Sequence, residues 1–118
     1  MRILVIDDQP QAAIVVAEIL ESQGHQALVA GSGEEGLRAI EQSGPDAVFL
    51  DVVMPGLDGI EVLRRIRERR PHLPVILLSG TVTEGQIETA QALGVTDVLL
   101  KPAALHHFAE VLARVRPA

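Results

Sequence analysis

Five short apolar runs constrain this chain more than anything else in it: Ile3–Ile6, Ala27–Ala30, Ala47–Leu50, Val75–Leu78 and Val98–Leu100. Each is too short for a helix and carries no polar residue on either side of a pleat. That is the pattern of a strand buried on both faces. Between the runs the apolar residues change to helical spacing. Ala12, Val15, Val16, Ile19 and Leu20 lead to Gly24, and Leu37 and Ile40 lead to Gly44-Pro45. Ile60, Leu63 and Ile66 lead to Pro71, Ile87, Ala90 and Leu93 to Gly94, and Leu105, Phe108, Val111, Leu112 and Val115 to Pro117. The start signals agree. Pro10 suits a first helical turn, and Ser32 with Glu35, Asp58 with Glu61 and Thr83 with Gln86 read as capping boxes.

Five strands alternating with five helices predict an α/β fold. Strand-to-parallel-strand connections are right-handed crossovers, so the sheet is expected to be parallel with helices on both faces. The strand order that places a ligand above a reversal between the first and third strands is 2-1-3-4-5. The length of 118 residues, 47% of them apolar, fits one domain over 1–118 with a single core. No internal repeat, linker or low-complexity segment interrupts it.

Composition removes several function classes. There is no cysteine, hence no disulfide and no thiolate metal site. No apolar run approaches the roughly 20 residues of a membrane span, and the four apolar residues after Met1-Arg2 are too few for a signal peptide. The expected location is cytoplasmic, with no membrane partner. A net charge of −6 and only two aromatics, Phe49 and Phe108, argue against direct nucleic-acid binding.

In a parallel sheet all C-terminal strand tips lie along one edge. Four of the five runs end there in a chemically capable residue: Asp7-Asp8, Asp51, Ser79 and Lys101, the only lysine in the chain. Singly, each has an ordinary explanation, as a helix-terminus carboxylate, a turn residue or a solvated amine. Jointly they place three carboxylates in one crevice, where they repel unless a cation sits among them. Lys101 is one candidate. A divalent ion held by hard oxygens, such as Mg²⁺, is the other.

With these residues in view, the whole chain resembles the receiver domain of two-component response regulators, a CheY-like, flavodoxin-like fold. The motifs that carry the resemblance are Asp7-Asp8, the stretch Asp51-Val52-Val53-Met54-Pro55-Gly56-Leu57-Asp58-Gly59, Ser79-Gly80 and Lys101-Pro102, with matching spacings between them. The resemblance implies that Asp51 accepts a phosphoryl group from a sensor histidine kinase or a histidine phosphotransfer protein. It implies Mg²⁺ or Mn²⁺ held by Asp8, Asp51 and the Val53 carbonyl, with Asp7 acting mainly through a metal-bound water. Lys101 would pair with the phosphoryl group, Ser79 would donate a hydrogen bond to it, and the Lys101-Pro102 bond would be cis. It implies no enzymatic activity beyond self-catalysed transfer to, and hydrolysis from, Asp51. The output would run through an unidentified partner, a fused effector domain or a phosphorylation-dependent homodimer.

The chain departs from the family pattern at two aromatic positions. Val98 stands where relatives carry Tyr or Phe, and Ala103 where they often carry Phe. The expectation is intact phosphorylation with a smaller or rerouted movement of the fourth helix and fifth strand. Val53 and Thr81 flank the site at positions that tune hydrolysis in relatives. Val53 offers no polar group to orient water, so the phosphoaspartate is expected to live long.

Three other readings stay open at this point. One is a receiver-shaped interaction module whose output ignores phosphate, favoured by Val98. Another is a Mg²⁺-dependent phosphatase with an aspartate nucleophile, which would want a second Asp where Val53 stands. The third is a flavin protein of similar topology, which would want an anion-cradling loop in place of Asp7-Asp8-Gln9-Pro10. On the surface, Ala13, Ile14 and Ala17 read as lying off the core stripe of the first helix, either as scattered apolar residues or as a docking face for a helical phosphodonor. Arg64, Arg65, Arg67, Arg69 and Arg70 read as a solvated cationic last turn. His25 and His72 read as surface residues, and the adjacent His106 and His107 diverge on a helix and cannot chelate.

Overall fold

A computed structural model of the chain describes residues 1–52, 58–79, 83–100 and 113. Five strands form one all-parallel sheet: β1 (Arg2–Ile6), β2 (Gln26–Ala30), β3 (Ala47–Asp51), β4 (Val75–Ser79) and β5 (Asp97–Leu100). Their order is β2-β1-β3-β4-β5, the expected one. Four helices connect them: α1 (Pro10–Ser22), α2 (Gly33–Ser43), α3 (Gly59–Arg69) and α4 (Glu84–Ala92). The fifth expected helix falls almost wholly outside the described residues; Ala113 alone is described there, as helical.

Both faces of the sheet are covered, which is why the strands read as unbroken apolar runs. On one face Ile3, Val5, Phe49, Ile76 and Leu78 pack with Ala13, Val16 and Leu20 of α1. On the other, Leu4, Ile6, Val48, Leu50, Val75 and Leu77 pack with Ile40 of α2, Val62, Leu63 and Ile66 of α3 and Ala90 of α4. β3, the middle strand, is buried along its whole length.

The helix starts follow the sequence signals with instructive differences. At α4 the reciprocal box is complete: Gln86 N–H donates to Thr83 Oγ1 (3.1 Å), and Thr83 N–H donates to Gln86 Oε1 (2.9 Å). At α2, Ser32 accepts from Glu35 N–H, but the Glu35 carboxylate reaches back one residue further, to Gly31 N–H (2.9 Å). At α3, Asp58 caps Glu61 N–H (2.9 Å), while the Glu61 carboxylate turns to Arg64 and Arg65 at 3.6 and 3.3 Å. α1 has no side-chain cap and starts on Pro10, whose missing N–H needs no partner there. α1 and α4 end alike. The N–H groups of Gly24 and His25 return to Glu21 and Leu20, and those of Gly94 and Val95 to Gln91 and Ala90. Both are Schellman closures, with Gly24 (φ 89°) and Gly94 (φ 75°) in the left-handed conformation that closure requires.

Three surface expectations are corrected. Of the expected α1 stripe Val16 and Leu20 are buried and Ile19 packs partly buried against the core, but Val15 is 44% exposed and Ala13 and Ala17 turn inward instead; Ile14 is exposed, as expected, at 51%. Residues 12–17 are all apolar, so spacing could not set the rotation. The two alanines settle it, because small side chains bring the helix closest to the sheet. Arg67 is not part of a solvated face. Its guanidinium donates to the carbonyls of Leu93 (2.6 Å), Leu73 (2.7 Å), Arg70 (3.0 Å) and Gly94 (3.1 Å). Burial pulls it below the usual arginine value. His72 is exposed, whereas His25 is partly buried with Nδ1 3.0 Å from the Met1 amino group. Burial, and then that ammonium, hold its imidazole below the ordinary range.

Candidate functional site: an acidic crevice at the strand tips

Strand register builds the site. Ile6 of β1 lies level with Leu50 of β3, so Asp7 and Asp51, each one residue further on, leave neighbouring strands at the same height. Asp8 follows as the chain turns toward α1. The three carboxylates come together, each offering an oxygen within 4.8 Å of the others. Asp7 is 3% exposed and Asp51 8%, and they are the only buried ionisable residues among those described.

The backbone holds Asp7 in place. Its N–H continues the β1–β2 pairing by donating to Ala30 (3.1 Å), and its Oδ1 accepts from Gln9 N–H (3.0 Å) at the entry to α1. Asp8 is different: its Oδ1 is buried and has no hydrogen-bond partner among the described residues. Leaving a carboxylate oxygen in that condition costs about 1–3 kcal/mol or more. Two full negative charges within 4.8 Å add a repulsion of at least about 3 kcal/mol at an effective dielectric near 20. A crevice of this kind asks for a cation. Among the described residues the donor set is all hard oxygen and suits Mg²⁺ or Mn²⁺ rather than a softer metal.

Among the other expected site residues, Ser79 is the last residue of β4, one step beyond the position level with Asp51 and paired with Leu100 of β5. Lys101 and Val53 lie outside the described residues, as do Pro102, Ala103, Thr81 and the adjacent histidines. An open concavity of about 710 Å³ is lined by Asp8, Gln9, Pro10, Gln11, Ala12 and Val15, so it borders the acidic group at Asp8. Val98 is partly buried and packs against the cluster that contains Leu77 and Ala90.

One feature had no clear signal in the sequence beyond an Asp-Gly pair. The N–H of Gly59, the first residue of α3, donates to Val52 O (2.9 Å), tying the helix start to the end of β3 next to Asp51.

Comparison with known proteins agrees with this geometry. The sequence model of the response regulator receiver domain family matches residues 3–113. An uncharacterized transcriptional regulatory protein of Bacillus subtilis, YkoG, is 38% identical over 99% of this chain and 50% of its own length. The alkaline phosphatase synthesis transcriptional regulatory protein PhoP of the same organism is 35% identical over 98% of this chain and 47% of its own. The chain thus spans about half the length of the curated relatives it matches. Among solved structures, the Vibrio cholerae chemotaxis protein CheY4 superposes with a TM-score of 0.90 at 25% identity, covering 98% of both chains. A response regulator receiver domain protein from Clostridium thermocellum also gives 0.90, at 32% identity, over 97% of this chain and 92% of that one.

Proposed function

The chain belongs to the response regulator receiver domain family of two-component signalling, and from that membership we propose that it accepts a phosphoryl group on Asp51 and signals through the rearrangement that follows. The observation that carries the proposal is the crevice of Asp7, Asp8 and Asp51 with the buried, unpartnered Asp8 Oδ1. Acids gathered this tightly are poorly explained as helix caps.

In the proposed reaction a carboxylate oxygen of Asp51 forms the new bond to phosphorus. The phosphorus–nitrogen bond of the donor's phosphohistidine breaks, and the imidazole leaves with the electron pair and takes a proton. Asp8, Asp51 and the Val53 carbonyl would hold the divalent ion, and Asp7 would act through water. When bound, the ion supplies positive charge against the phosphoryl oxygens, where charge collects in a loose transition state. The Lys101 ammonium pairs with the phosphoryl group and the Ser79 hydroxyl donates to it, so the new anion pulls on the ends of β4 and β5. Ordinary turnover of free substrates is not part of this reading. The donor is a histidine kinase or phosphotransfer protein, the setting cytoplasmic, and the output an effector domain or separate partner.

The test is intact mass after incubation with a small phosphodonor and Mg²⁺. The wild type should gain roughly 80 Da, one phosphoryl group, and Asp51→Asn should gain nothing. With Val53 two residues after Asp51 in the sequence, the adduct should decay over many minutes in Mg²⁺; a decay within seconds would oppose the role given to Val53. A wild type that gains no mass would favour a module that signals without phosphate. Val98, packed as an aliphatic core residue, is the feature that favours this second reading.

A further inference from the structure

The contact between the start of α3 and the end of β3 carries a consequence for the site. Gly59 is buried, and its N–H is bonded to Val52 O at 2.9 Å. A Cβ built on Gly59 would stand 2.5 Å from Val52 Cα and 3.1 Å from the Asp51 carbonyl carbon, and would also press on the Asp51 carbonyl oxygen. All of these are backbone atoms, with no side-chain rotation available to relieve the overlap. A side chain at 59 must push α3 away or move Asp51 and Val52. The opposite wall of the crevice has no matching freedom, since Asp7 is fixed to Ala30 and Gln9. Asp58, held as the cap of Glu61 N–H, keeps the helix start rigid.

We infer that Gly59 is a positioning residue: by having no side chain it lets α3 seat directly on the Asp51–Val52 backbone and set the spacing of Asp51 from Asp7 and Asp8. The inference rests on the receiver reading above. It makes Gly59 act on the site through Asp51, without touching the ion or the phosphoryl group.

The experiment compares Mg²⁺ affinity by calorimetry in the wild type, Gly59→Ala and Leu63→Ala. Leu63 lies on the same helix, buried in the core, and is not one of the three crevice acids, so its truncation weakens the fold by leaving a cavity. Gly59→Ala should bind Mg²⁺ on the order of tenfold to a hundredfold more weakly, as losses in the supporting shell of a metal site do. Leu63→Ala, while folded, should bind as the wild type does. An equal loss in both variants, or none in Gly59→Ala, would overturn the inference. Should Gly59→Ala fail to fold, the wild type decides: its Gly59 amide resonance should move during a Mg²⁺ titration with the midpoint measured by calorimetry, and a stationary resonance would sink the idea. A wild type that takes up no Mg²⁺ overturns the receiver reading and this inference with it; a wild type that binds beside an unimpaired Gly59→Ala overturns the inference alone.

Discussion

Asp8 carries the sharpest conflict in the molecule. Its buried oxygen, unpartnered among the described residues, lies beside two more carboxylates, so without a cation its charge opposes folding, and in the proposed site it would hold the ion. Asp8→Asn keeps the shape and removes the charge. In chelator the variant should be more stable than the wild type, by on the order of 1 kcal/mol or more, because a close like-charge contact is relieved. Adding Mg²⁺ should reverse the ranking, since only the wild type gains the stabilisation that a ligand confers on the state that binds it. Urea midpoints with and without Mg²⁺ read both effects. A variant less stable than the wild type in chelator would mean that the Asp8 charge is satisfied in a way this crevice does not provide.

Among the described helices, α4 buries the fewest residues. It buries one residue, Ala90, and depends on its two ends: the capping box at Thr83 and the closure at Gly94. Arg67 fastens the second end, because the carbonyls of Leu93 and Gly94 accept from its guanidinium together with those of Arg70 and Leu73. Arg67→Met keeps the aliphatic stem and leaves the carbonyls without their donor. The expected loss is about 2 kcal/mol, the scale of hydrogen bonds to a charged group, with faster amide exchange concentrated at Gly94, Val95 and Thr96. Arg67→Lys should recover only part, since an ammonium cannot fan out to four carbonyls as a guanidinium does. A uniform rise in exchange over the whole chain would contradict the local role. This clamp also marks where the sequence stops being legible. Strands and strand order could be read because both faces of the sheet are covered and every run is apolar throughout. The three acids of the crevice could be read because parallel strands end on one edge. Arg67 could not be told from the other four arginines of its segment, since its partners are backbone carbonyls, which leave no trace in side-chain identity. Gly59 was hidden for a related reason: the cause of its smallness is a backbone contact with Val52. The rotation of α1 was lost in an unbroken apolar stretch, and Ala13 and Ala17 show their role only once the helix lies on the sheet.

At the scale of the whole molecule, the proposed reaction needs a protein donor to bring its phosphohistidine to Asp51, and α1 begins beside the crevice at Asp8. With α1 rotated as observed, Ile14 and Val15 are large apolar residues left in solvent, and Val15 lines the concavity that starts at Asp8. Ala13 and Ala17 are buried and can take no part, so the docking face narrows to Ile14, Val15 and the polar start of the helix. Apolar side chains at the rim of a reactive cleft suit a helical donor that buries them while it aligns its histidine. Ile14→Glu places a charge there and leaves the crevice alone. Phosphotransfer from a cognate protein donor should slow by tenfold or more, roughly the 1.4 kcal/mol or more that burying an unpaired charge in an apolar contact costs. Phosphorylation by a small-molecule donor should proceed at the wild-type rate, because such a donor needs the crevice and nothing of α1. Parallel rate measurements with the two donors separate the effects. If both slow together, Ile14 acts on the crevice itself; if neither slows, the donor approaches over some other surface. Only a selective loss with the protein donor ties the exposed face of α1 to the chemistry at Asp51.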